Sequence, residues 1–270
     1  MGRGLSDAGF EKLRQFVFDK LGISIDERKR ETVEIRIAKL ARAGGMDSDE
    51  DYVRALLAAG DGARLHEFYS AITTNTTDFF REEKHFTYLT ENTARIMEAN
   101  PRIRANGEIR VWSAPCSSGE EAVTLAIVLQ ECMPAGVSIK ILATDISEKA
   151  LSKAIAGTYS ANDCRGLSKE KLDRYFAKAG EDAYKVKSEI SSLITYRLFN
   201  LTDSFIFKKG FDIIFCRNLM IYMENAAQQK LIDKFYDQLV PGGLFFTGHS
   251  ESLHNKAHKF KSLGTSIYIK

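Results

Sequence analysis

Ile109-Arg110-Val111-Trp112-Ser113-Ala114-Pro115-Cys116-Ser117-Ser118-Gly119-Glu120-Glu121 decides the architecture of this 270-residue chain. Its first five residues are strand-like, rich in β-branched and aromatic side chains. Small residues follow, and Gly119 can take a positive φ. Glu120 and Glu121 then open an apolar, helix-like stretch that reaches Glu131. The alternation continues downstream, with strand-like runs at 139–144, 194–199, 211–216, 243–247 and 266–269, and helix-like ones at 148–156 and about 226–239. Short apolar runs joined by crossover helices predict a mainly parallel sheet covered on both faces. The last run follows a long loop instead of a helix and is expected to lie antiparallel. Residues 158–193 are longer than a simple crossover and predict an inserted element.

Upstream the pattern is helical throughout. Ser6 suits an N-cap, Phe10, Leu13, Phe16, Val17 and Leu21 repeat at helical spacing, and Gly22 stands where a C′ glycine belongs. Further helices are expected at 27–43, 48–59 (capped by Ser48), 65–72 and 84–98. Asn100-Pro101 is the expected boundary, giving a helical domain over 1–100 and a sheet domain over 101–270. With 38 Lys plus Arg against 36 Asp plus Glu, 27% charged and 44% hydrophobic residues, the chain reads as globular, not disordered, fibrous or broadly basic. No apolar run approaches the roughly 20 residues of a membrane span, and residues 1–7 hold no stretch of signal-peptide type. The 4 cysteines form no C-x-x-C pair and the 5 histidines are scattered, so no metal site is expected and a cytoplasmic setting with reduced thiols is.

In a doubly wound sheet, ligands bind beyond the carboxyl ends of the strands. The loop at 114–121 has one glycine, no Lys-Ser/Thr pair and two acids, so it is no phosphate cradle. Its acids suit an ammonium or a sulfonium, or simply the dipole of the helix they open. Asp145 ends the second strand, about 25 residues past that loop, where a carboxylate accepts from ribose hydroxyls; it could equally be an N-cap, unless Ser147 fills that role. Asn200-Leu201 and Arg217-Asn218 follow the next two strands. Four polar strand ends predict a nucleoside rim, and the acidic loop points to S-adenosylmethionine and not a dinucleotide. Among the helices, 73–82 is unusual: four threonines and Asn75 precede Phe79-Phe80-Arg81, more than capping requires, and Asn75, Thr77 and Arg81 are expected to share a face that reaches a ligand.

Five motifs in order, Thr-Thr-Asn-x-Thr-x-Phe-Phe-Arg (73–81), Val-Trp-Ser-Ala-x-x-Ser-x-Gly-Glu-Glu (111–121), Ala-Thr-Asp-Ile (143–146), Phe-Cys-Arg-Asn-x-Met-Ile-Tyr (215–222) and Gly-His-Ser-Glu (248–251), resemble the bacterial chemotaxis receptor glutamate methyltransferases, the CheR family. The resemblance implies a small all-helical N-terminal domain and a Rossmann-like S-adenosylmethionine domain carrying a small inserted antiparallel subdomain, at 158–193 here. It implies cofactor contacts from Asn75, Thr77, Arg81, Glu120 (with Glu121 adjacent), Asp145, Asn200, Leu201, Arg217 and Asn218. Arg81 and Tyr222 match the side chains nearest the methyl group. Pro115 departs from the small residue common at that place.

The implied reaction is methyl esterification of receptor glutamates, with no metal. Helix 27–43, which carries Arg28, Lys29, Arg30, Arg36, Lys39 and Arg42, would dock on the receptor, although its mixed charge equally suits a solvated face. Some family members hold a receptor's C-terminal peptide on the insert. Here a hairpin pairing 184–187 with 193–196 through a short turn without glycine argues against such tethering. A monomer without nucleic-acid or direct membrane contacts is expected.

Overall fold

Apolar residues at three- and four-residue spacing bury one face of each of the first four helices, α1 (Asp7–Leu21), α2 (Arg30–Ala43), α3 (Asp49–Ala58) and α4 (Ala63–Ile72). The structure, a computed structural model, describes residues 4–60 and 62–270, so the first three residues of the chain lie outside the described residues. Ser6 and Ser48 accept from backbone N–H groups as N-caps, and Gly22 closes α1 at φ 66°. Phe10, Leu13, Val17, Val33, Ile37, Leu56 and Phe68 make one core between these helices.

The expected helix at 84–98 is two, α5 (Lys84–Glu91) and α6 (Thr93–Ala99), followed by α7 (Arg102–Asn106). Asn92 divides them: its side chain donates to the Tyr88 carbonyl (3.0 Å), offering the backbone an alternative to the helix. Phe86, Leu89, Ile96, Met97 and Ile103 on these helices pack with Ile109, Val111 and Leu125 of the sheet region, not with α1–α4.

The sheet contains β1 (Glu108–Ser113), β2 (Ser138–Asp145), β6 (Ile194–Leu198), β7 (Phe211–Cys216), β8 (Leu239–Thr247), β9 (Lys261–Gly264) and β10 (Ile267–Ile269), in the order β6-β2-β1-β7-β8-β10-β9. From β6 to β8 all pairings are parallel, and β10 runs antiparallel to β8, as the spacing predicts. β9, an exposed edge strand, carries no apolar run and has no sequence signal. The helices α8 (Glu120–Cys132), α9 (Glu148–Ala156) and α12 (Asn225–Gln238) cover the faces. On one face Trp112 is enclosed by Phe199, Phe205, Phe207, Phe211 and Phe235, with ring centroids 4.9–6.1 Å away, and its indole N–H donates to Thr144 (2.9 Å). This aromatic packing anchors the strandless segment 199–210.

The insert is a separate sheet, β3 (Thr158–Ser160), β5 (Ala183–Val186) and β4 (Phe176–Lys178), with α10 (Lys169–Tyr175) between β3 and β4. The expected hairpin of 184–187 with 193–196 is corrected here: β5 pairs with β3 and β4, residues 188–191 form the helical turn α11 (Ser188–Ser191), and residues 194–198 pair in parallel with β2. The apolar pattern of both segments was strand-like, and the partner could not be read from it.

Candidate functional site

The strand order reverses at β1, and beyond the carboxyl ends of β1, β2 and β7 lies a cavity of about 360 Å³. That volume suits a small organic ligand. Residues 72–78 and 81 cross over it, and the α1–α2 link with Lys29, Val33 and Arg36 forms its far wall. Asn75, Thr77, Arg81, Asp145, Asn200, Leu201, Arg217, Asn218 and Tyr222 all line it. Glu120 does not, and Glu121 does.

Consecutive helical residues point about 100° apart, which separates the two acids. Glu120 is 2% exposed and turned away from the cavity, accepting from Ser118 Oγ (2.7 Å) with Lys153 Nζ at 3.7 Å. Glu121 accepts from Ser113 Oγ (2.6 Å) and Arg217 Nη1 (3.1 Å). Burial pushes both carboxyls up, partly offset at Glu121 by Arg217. Gly119 sits at φ 96°, and a Cβ there would come within 2.9 Å of Ala154 and the Tyr159 hydroxyl. That glycine lets the loop turn against α9 and the insert.

Asp145 accepts from the backbone N–H groups of Ser117 (2.8 Å) and Ser147 (2.9 Å), and burial raises its carboxyl. Ser147 caps α9, leaving Asp145 at the cavity. The thiols of Cys116 and Cys216 are buried and pushed well up, by burial first and then by nearby carboxylates, which removes either as a nucleophile.

Residues 74–78 form no regular element, and Thr73 ends α4 as its C-cap. They are tied to the sheet: Ser117 Oγ donates to the Asn75 carbonyl (2.8 Å) and Asn75 Nδ2 to Ser147 Oγ (3.3 Å). Phe80 and Glu82 hold φ near 57–58° on either side of Arg81. Arg217, 5% exposed, donates to Glu82, Glu121 and the Arg81 carbonyl. The Tyr222 carbonyl accepts from Ser24 N (3.0 Å), Ile23 bridges Met223, and Lys29 Nζ stands 5.0 Å from the Tyr222 ring centroid. Asn200 lines the cavity, but its amide donates to the Lys20 carbonyl (2.9 Å), tying α1 to the sheet unit. Glu251 accepts from the N–H groups of Asn218 (2.6 Å) and Gly248 (2.8 Å), shaping the turn at Asn218, where φ is 58°. Glu82, His85 and His249 bring three ligand atoms within 4.8 Å of one another, a grouping that the scattered histidines did not suggest. The Glu82 oxygen shared by both rings already pairs with Arg217 at 3.1 Å, so a cation there would compete with a guanidinium. Glu82 and Glu251 were given no role from sequence, although they stand in or beside the quoted motifs, and Lys29 was expected at a docking face and not at the cavity.

Buried carboxylates without a basic phosphate cradle fit a ligand with a ribose and a cationic tail. Residues 75–269 match the family described as "CheR methyltransferase, SAM binding domain", and residues 8–73 match "CheR methyltransferase, all-alpha domain". The chain belongs to the CheR family. It is 36% identical over 269 residues to the chemotaxis protein methyltransferase of Salmonella typhimurium, covering 98% of this chain and 90% of that one. The corresponding proteins of Borreliella burgdorferi (35% over 246 residues, covering 90% of this chain and 87% of that one) and Escherichia coli (32% over 269 residues, 98% and 91%) are similar too. As a CheR chain it has a S-adenosylmethionine-binding domain, and the cavity lies at that domain's switch point. Among the described residues, no helix is long and apolar enough to cross a membrane.

Proposed function

We propose that this chain transfers the methyl group of S-adenosylmethionine to the γ-carboxylate of glutamates on chemotaxis receptors, forming methyl esters for sensory adaptation. Membership of the CheR family and relatives named chemotaxis protein methyltransferase support the reaction. The observation that carries the site is one cavity bringing Asp145 and Glu121 of the sheet unit together with Arg81 and Tyr222. Asp145 would hold the ribose, and Glu121, in place of Glu120, the amino-acid end. Asn75, Thr77, Asn200, Leu201, Arg217 and Asn218 complete the cofactor wall. The functional division then falls at 73–75, with α5–α7 in the cofactor domain. That boundary lies earlier than Asn100 because those helices bury their apolar faces on the sheet.

When bound, S-adenosylmethionine supplies an electrophilic methyl on a sulfonium. A glutamate acceptor with pKa about 4.3 is ionised at neutral pH and needs no general base. The chain's task is to align the acceptor in a cavity shielded from water, which can contribute several kcal/mol. Arg81, anchored by one N–H to the Thr76 carbonyl (2.8 Å), orients a carboxylate with its other donors, and the Tyr222 hydroxyl hydrogen-bonds near it.

The acceptor reaches the cavity over α2, where Ile35 is 62% exposed and Arg36 and Lys29 line the entrance. Docking there is favoured by charge, although Arg28 and Arg30 are paired to Asp26, Asp7, Glu27 and Glu34 within the chain. The enzyme works in the cytoplasm as a monomer. Tritiated methyl transfer to receptor-rich membranes, followed by base release, tests the reading. Volatile methanol is the expected product. A base-stable methyl group would indicate another acceptor chemistry, and no label would indicate a non-catalytic adaptor. Charge reversal at Arg36 and Lys39 that leaves receptor methylation and its salt dependence unchanged would refute the docking face.

A further inference from the structure

Glu82 stands outside the cavity wall, yet two strand ends meet at its carboxylate. Arg217, just after β7, donates to Glu82 Oε2 from Nε (3.3 Å), and its Nη2 stands 3.1 Å from the same oxygen as an ion pair. The backbone N–H of His249, just after β8, donates to Glu82 Oε1 (3.2 Å). Through Arg217 Nη1, Glu121 and Ser113, the network also reaches the end of β1. The Arg217 side chain is 2% exposed, and its guanidinium carbon lies 5.7 and 5.9 Å from the ring centroids of Phe86 and Phe215. Its remaining interaction, from Nη2, is to the carbonyl of Arg81 (2.5 Å).

Arg81 itself stands between two residues in the left-handed region, Phe80 and Glu82. A bulky aromatic residue adopts that conformation only when its surroundings over-determine it. Here the surroundings are the Arg217 bond to the Arg81 carbonyl and the Phe80 N–H donating to Thr124 Oγ1 (3.2 Å). A buried guanidinium keeps its place only while its carboxylate partners balance it. Loss of the Glu82 charge would leave Arg217 with Glu121 alone and draw it away from the Arg81 carbonyl.

We propose that Glu82 is a positioning residue for methyl transfer: acting through Arg217, it locks the turn at 80–82 that sets Arg81 into the cavity. The inference rests on the reading of that cavity as the S-adenosylmethionine site.

The test compares Glu82→Gln, Arg217→Lys and the double variant by calorimetric titration with S-adenosylhomocysteine and by initial rates on receptor membranes. Glu82→Gln keeps the size and an acceptor oxygen but removes the charge. Expected are a roughly tenfold fall in kcat/KM for S-adenosylmethionine and an unchanged KM for the receptor. For Arg217→Lys the expected fall is about a hundredfold, and the double variant should match it, since Glu82 acts through Arg217. A purely structural role would lower the melting temperature without this split. Glu82→Asp, which keeps the charge, should recover part of the activity and serves as the readout if Glu82→Gln does not fold. Wild-type constants in Glu82→Gln and Glu82→Asp, or losses that multiply in the double variant, overturn the inference. Wild-type protein that neither binds S-adenosylhomocysteine nor transfers label overturns the underlying reading, and the inference falls with it.

Discussion

The cavity has a strand-end wall and a cap wall, and they are held differently. On the strand-end wall, Asp145 is fixed by the N–H groups of Ser147, two residues past its own strand end, and Ser117, two residues before the loop glycine, all within one unit. The cap wall is held from outside itself: Asn75 by Ser117 and Ser147, Arg81 by Arg217, and the α1–α2 link by its bridge to residues 222–224. The first wall comes with the fold. The second is completed only when the α1–α2 link docks on residues 222–224, so small changes far from the ligand should reach it.

The largest expected effect is at the cap. Arg81→Ala should lower kcat about a thousandfold, comparable to losing a preorganised charge donor, with the melting temperature unchanged. Residual turnover near wild type would remove Arg81 from the chemistry and break the contrast. Next comes a property of the packing beneath the strand ends. Burial, the nearby Arg217 charge and His249 hold His85 down to about 4, from an ordinary 6.5. Below pH 6.5 the unfolded chain takes up a proton there that the folded chain refuses. Stability should therefore fall by about 3 kcal/mol as pH drops from 6.5 to 4. Denaturant titrations of wild type and His85→Phe should diverge only within that window, and equal slopes would dismiss the assignment.

Asp145→Asn sharpens the strand-end side. It should weaken S-adenosylhomocysteine by roughly 2 kcal/mol, while Glu121→Gln weakens it less and Glu120→Gln leaves the affinity unchanged. Calorimetry that ranks Glu120 above Glu121 would reverse the assignment made from the side-chain directions. Smallest is Gly22→Ala, at φ 66° with a new Cβ about 3.0 Å from Ala227 and Met223. It should cost about 1 kcal/mol of stability and raise KM for S-adenosylmethionine a few-fold, because the strain falls on the seam beside Tyr222. An unaltered KM would mean that the seam tolerates movement.

The same contrast explains what could be read from sequence. The strand-end wall was legible because its parts are local: Ile109–Ser113, Gly119 and Asp145 each follow from residues within one turn or strand. The unusual segment 73–82 singled out Asn75, Thr77 and Arg81 and the motif resemblance added Tyr222, but neither showed how they are held. Adjacent glutamates carry the same chemistry in sequence, and only the direction in which α8 leaves the loop separates Glu120 from Glu121. Periodicity marked residues 84–98 as helical without showing that they cover the sheet, and it marked 184–187 and 193–196 as strands but paired them with each other, where the structure gives each of them different partners. Glu82 was invisible as a hub because its partners lie 135 and 167 residues away.

Trp112 gives these two units different optical visibility. It is the chain's 1 tryptophan, locked among five phenylalanine rings one position before β1 ends. Its emission should be that of a dry, immobile indole, and should redden only when the sheet opens. The helices α1–α4 carry no such reporter, so they can undock or melt without changing that signal. A thermal melt followed by tryptophan fluorescence and by far-ultraviolet dichroism would then separate loss of the cap from loss of the sheet in a single unlabelled sample.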